Sequence, residues 1–120
     1  MPMQKDLFKK DSNIASEVRR ILDLIKKSAP GNAVELRIPP YGVIQCVAGV
    51  NHRRGTPANQ VEMSGEVLIQ LAQSPGLWSD LLQSGQIQAS GQLSDLSQIF
   101  SLTFKLAHTG DLKYFGISRG

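Results

Sequence analysis

Ala33-Val-Glu-Leu-Arg-Ile-Pro-Pro-Tyr-Gly-Val-Ile-Gln-Cys-Val47 is the stretch on which the fold turns. Val34, Leu36 and Ile38 alternate with Glu35 and Arg37, and a period of two puts the apolar residues on one side of a half-buried strand. Pro39-Pro40-Tyr41-Gly42 ends that strand, because proline cannot donate to a ladder and glycine relaxes the turn. So short a turn returns the chain antiparallel. The run Val43–Val50 has only Gln45 as a polar residue, which predicts a central strand covered on both faces.

Upstream, Ile14, Val18, Ile21, Leu22 and Ile25 draw one apolar stripe down a helix of about four turns. Ser12 or Asn13 can cap it, Lys26-Lys27 suit the negative end of its dipole, and Ala29-Pro30-Gly31 stops it. Downstream, Asn51–Ala58 is a polar loop and Asn59–Met63 a third strand. Ser64 caps a helix over Gly65–Gln73, and Ser74-Pro75-Gly76 interrupts it. Leu77–Gln83 forms a second short helix carrying Leu77, Trp78, Leu81 and Leu82, ended by Gly85. Gln86–Ser90 alternates with Ile87 and Ala89 inward. A last helix near Ser94–Ala107 carries Leu96, Ile99, Phe100 and Thr103 or Phe104, and Leu112–Ile117 offers an edge strand. Strands that come early and helices that cluster late predict an α+β layer, with a largely antiparallel sheet of about five strands.

A chain of 120 residues is one ordinary domain. We expect a lead-in over 1–11, the domain over 12–107 and a tail over 108–120. With 41% hydrophobic and 19% charged residues the composition is that of a globular chain. The net charge of +3, without aromatics interleaved among the basic residues, argues against nucleic acid as a partner. The apolar runs are too short for stable membrane insertion. The first residues lack the apolar core of a secretory signal, and a single cysteine, Cys46, allows no internal disulfide. Both point to the cytoplasm. Oligomeric state is not legible in the sequence.

Catalytic chemistry finds no foothold. Nucleophilic catalysis needs a nucleophile within reach of an oriented base, and Cys46 lies in an apolar stretch where it reads as a structural thiol. No serine occupies a G-x-S-x-G elbow. His52 and His108 stand far apart in polar stretches. No paired His or Cys spacing suggests a metal, Asp80, Asp95 and Asp111 fall singly where caps explain them, and no glycine pattern cradles a phosphate. We therefore expect neither an enzyme nor a cofactor. One polar cluster stands out: Arg53 and Arg54, within His52-Arg-Arg-Gly-Thr-Pro57, suit either a phosphate or carboxylate head group or a solvated loop. The apolar stripes Trp78, Leu81, Leu82, Phe100 and Phe104 suit either a packed core or a cavity wall.

The stretches Val34–Val47 and His52–Asn59 resemble the bacterial, actinobacterial-type branch of the sterol carrier protein family. Trp78–Ser97 looks like the wider family's ending, a helix with a bulky aromatic, a short strand between glycines and a leucine-rich last helix. The Gln and Ser richness of Gln83–Gln98 departs from that pattern. The resemblance spans about Ile14 to Leu102. It implies a sheet with helices on one face and an apolar tunnel between them for a sterol, fatty acid or acyl-CoA. Carried across, the lining is Leu36, Ile38, Ile44, Cys46, Leu71, Trp78, Leu82, Ile99 and Phe100. A plugged relative serving as a protein-interaction or regulatory module is the alternative. A tunnel of about 300 Å³ left empty would cost on the order of 7 kcal/mol, much of the roughly 5–15 kcal/mol that holds a small domain folded. An open tunnel therefore needs its ligand.

Overall fold

Side-chain alternation decides where every strand of this chain points. The computed structural model describes residues 12–49 and 59–104. The expected lead-in over 1–11, the Arg53-Arg54 loop, both histidines and the strand over Leu112–Ile117 lie outside the described residues. Strands β1 (Val34–Ile38), β2 (Gly42–Cys46), β3 (Asn59–Met63) and β4 (Ile87–Ser90) form one sheet in the order β2-β1-β3-β4. β1 runs antiparallel to β2 and parallel to β3, and β3 runs antiparallel to β4. The register places Val34 opposite Cys46 and Asn59, and Leu36 opposite Ile44 and Val61. The apolar residues of neighbouring strands therefore share one face. On the other face Arg37 lies beside Glu62, with Glu35, Gln45, Gln60 and Gln88.

Helices cover the apolar face. α1 (Ser12–Ser28) buries Ala15, Val18, Ile21, Leu22 and Ile25 and keeps its charged residues outside, where Arg20–Glu17 and Lys27–Asp23 pair at helical spacing. α2 (Gly65–Gln73) starts at Ser64, whose Oγ accepts from the Val67 N–H at 3.1 Å. Where α1 crosses the start of α2, a Cβ on Gly65 would stand 2.9 Å from Ile14 and 3.0 Å from the Tyr41 ring. Only a bare backbone fits there. A 3₁₀ turn (Pro75–Leu77) leads directly into α3 (Trp78–Gln83), which buries Trp78 and Leu81 against the cluster. A further helix, α4, covers 97–104 of the described residues, and Asp95 holds its entry by accepting from the Ser97 N–H at 2.9 Å. Hydrogen bonds from the Ser97 hydroxyl first, and from its N–H second, favour the ionised form and hold the Asp95 carboxyl below its ordinary value. All these apolar faces join in one continuous buried cluster.

The run Val43–Val50 is not a central strand. It supplies β2, an edge strand that ends at Cys46, and Val43 stands 57% exposed on the open face. The apolar count misleads because Val47 leaves the strand with φ +70°, a left-handed conformation costly for a β-branched residue. The reason is topological. To place β3 on the far side of β1, the chain must cross the start of β1, and that brings Val47 and Asn59 to the same place. Val47 donates from its N–H to the Ala29 carbonyl (2.7 Å) and accepts from the Ala33 N–H (2.9 Å). The Asn59 amide donates to the Ala33 carbonyl (2.9 Å) and its oxygen accepts from the Leu93 N–H (2.9 Å). One buried side chain thus ties the entry of β1 to the turn before α4.

Gly31 completes this crossing, with φ +146° and a Cβ position 2.2 Å from the Val47 carbonyl oxygen. Backbone meets backbone there, so neither side can yield. Urea unfolding should show Gly31→Ala losing more than about 2 kcal/mol. Val47→Gly should stay within about 1 kcal/mol of wild type, because relief of roughly 1–2 kcal/mol of left-handed strain offsets the lost side chain. Val34→Gly, at a fully buried and extended position, should cost about 3 kcal/mol or more. Equal losses at Val47 and Val34 would contradict the strain.

Candidate functional site

The layer between the sheet and the helices collects most of the residues expected to line a cavity. Leu36, Ile38, Cys46, Leu71 and Phe100 are fully buried within it and Trp78 nearly so. Ile44 and Ile99 pack against the cluster from its margin. Leu82 stands apart, 39% exposed on the outward side of α3. In a helix of six residues only one narrow stripe faces inward, and Trp78 and Leu81 fill it.

Aromatic rings mark the seam between α3 and α4. The Trp78 and Phe100 centroids lie 6.2 Å apart with planes tilted by 36°, and Phe104 stacks on Phe100 at 5.8 Å and 25°. Such distances are those of mutually attracting rings. Phe104 was not among the expected lining residues. Its spacing of four from Phe100 is the signal that finds it, since α4 presents both on one side. Thr103 is buried beside them.

Cys46 sits at the edge of this layer with its thiol pushed up to about 11 by burial. Desolvation disfavours the thiolate and leaves an inert, space-filling side chain. Its placement on β2 follows from the alternation that turns Ile44 inward as well.

The opposite face of the sheet is polar. Arg37 reaches Glu35 at 3.5 Å and Glu62 at 3.7 Å, half-exposed pairs of little energetic weight. Two open hollows lie on this face and share Glu62 and Gln88. One of about 270 Å³ is bounded by Pro39, Met63, Ser64 and Gln86, and one of about 200 Å³ by Arg37, Gln60, Ala89 and Ser90. Both are open to solvent and mix amides and charges with Pro39, Met63 and Ala89. Arg53 and Arg54 lie outside the described residues. Among the described residues no group of three or more His, Cys, Asp or Glu could hold a metal ion, and no helix is long and apolar enough to cross a membrane.

Comparison with family models gives one match. The family described as "Bacterial SCP ortholog" matches residues 10–102. Among solved structures, the chain is similar to a ubiquinone synthesis protein titled UbiJ-SCP2 (13% identity, TM-score 0.47, covering 89% of this chain and 93% of that one). It is also similar to the apo form of Sterol Carrier Protein 2 from Yarrowia lipolytica (17% identity, TM-score 0.38, covering 72% and 77%). No curated protein matches the sequence.

The thiol offers a check on the packing of this layer. With its pKa raised from 9.0 to about 11, Cys46 favours the folded state fully below pH 9, and that contribution fades as pH rises from 9 towards 11. A thiol-specific reagent at pH 8 should label Cys46 only after denaturation. Rapid labelling of the native protein would show that β2 does not hold this side chain inward.

Proposed function

The chain belongs to the family of bacterial sterol carrier protein orthologs, and from that premise we propose that it is a non-catalytic carrier of an apolar ligand. The ligand class is a sterol, a fatty acid or an acyl-CoA, held between the apolar face of the sheet and the helices. The observation that carries this reading is the convergence of Leu36, Ile38, Cys46, Leu71, Trp78 and Phe100 in one dry layer. On the other face of the sheet, the hollows among the described residues are open and carry Glu62, Gln88 and further polar groups.

Magnitudes indicate how the layer admits a guest. An empty hollow of about 300 Å³ would cost on the order of 7 kcal/mol, so the layer is closed when vacant and parts where its cover is lightest. α1, with 17 residues and the close fit at Gly65, is the fixed wall. α3, with six residues, has no helical stability of its own and depends on side-chain packing. The Trp78–Phe100–Phe104 seam is therefore where the ligand enters.

Trp78 is the chain's only tryptophan and sits at that seam. Titration with brominated fatty acids should quench its fluorescence to saturation. A ligand at a hundred times its Kd should add about 2.7 kcal/mol of stability. Organic extraction of the native protein should yield stoichiometric lipid. No quenching and no thermal shift across fatty acids, sterols and acyl-CoAs would overturn the reading and leave a plugged protein-interaction module in its place.

A further inference from the structure

We propose that the Thr103 hydroxyl is the anchor for the polar end of the ligand, which makes that ligand a molecule with one terminal carboxyl or hydroxyl on an apolar body. The inference rests on the carrier reading and specifies its polar contact. Three polar residues are buried among the described residues: Asn59, Ser94 and Thr103. Asn59 is bonded at both ends of its amide, and Ser94 donates to the Gly91 carbonyl at 2.7 Å. Thr103 Oγ1 finds no hydrogen-bond partner among the described residues, although the residue is only 5% exposed.

That exception has a physical cost, since a buried hydroxyl without a partner loses its hydration with nothing in return. A threonine in a helix commonly repairs this by bonding to the carbonyl one turn back, and this one does not. Its position gives the cost a use. Thr103 lies three residues after Phe100 and next to Phe104, on the buried side of α4. One oxygen, able to donate once and accept twice, stands on the same buried helix face as Phe100 and Phe104. The matching ligand has a long apolar surface for the rings and one polar group for the hydroxyl. A second charge or an extended polar head would have no counterpart among the buried residues of this layer.

Two substitutions test this with brominated stearic acid as the probe and Trp78 fluorescence as the readout. Thr103→Val keeps the shape and removes the hydroxyl, and should weaken binding about tenfold or more, the worth of one hydrogen bond to a charged group. Thr103→Ser keeps the hydroxyl and should bind within about twofold of wild type. Without ligand, Thr103→Val should melt no lower than wild type, because no bond within the protein is lost. Thr103→Val binding as tightly as wild type would overturn the anchor while leaving the carrier reading intact. Thr103→Val melting several degrees lower would assign the hydroxyl to the fold and overturn the anchor also. Wild-type protein that shows no quenching would overturn both.

Discussion

One face of the sheet is dry and the other is wet, and the rest of the molecule follows from that division. The period of two in β1 puts Val34, Leu36 and Ile38 on one side, and the register copies that choice onto Cys46 and Ile44 in β2 and Val61 in β3. A shift of one residue would turn every one of these to water. The hydrophobic effect then requires a cover on that side alone, and the apolar stripes of α1, α2, α3 and α4 supply it. The opposite face keeps its glutamines, glutamates and Arg37 in solvent.

The cover is uneven. α1 is long, fits closely against Gly65 and packs on both α2 and β2. The far side of the layer is closed by α3, of six residues, and α4, which bury rings and leucines against the sheet. Between the two, the backbone crossing at Ala29–Ala33, Val47 and Asn59 fixes both ends of the segment 48–58 against the entry of β1. Leu93, bonded to the same Asn59, gives the turn before α4 a firm start. The helix that follows is thus anchored at its beginning and held along its length by packing alone. Such a division between fixed wall and light cover is what the proposed carrier role requires.

Much of this was legible in the sequence because local rules and the fold agree. The strict alternation of Val34–Ile38, the Ser64 cap and the break at Ser74-Pro75-Gly76 each state a local structure that packing confirms. The sheet edge was not legible. Val43–Val50 is apolar enough to suggest burial on both faces, yet part of that run serves a crossing whose need arises only when β3 pairs on the far side of β1. The same topology makes Asn59 a buried tie, whereas in sequence it is only a polar residue at the start of a strand. The layer's residues were readable as apolar and inward, but periodicity does not say which of them meet. That Trp78 of α3 meets Phe100 of α4, and that Leu82 turns away, depends on the angle between the two helices.

The central claim is that an apolar ligand enters between the sheet and the late helices. Hydrogen–deuterium exchange of the full chain, with and without saturating fatty acid, tests it most directly. The account predicts added protection concentrated in α3, β4 and α4, with α1 and the outward amides of β2 unchanged. Protection absent throughout, or centred on the polar face around Arg37 and Glu62, would contradict it.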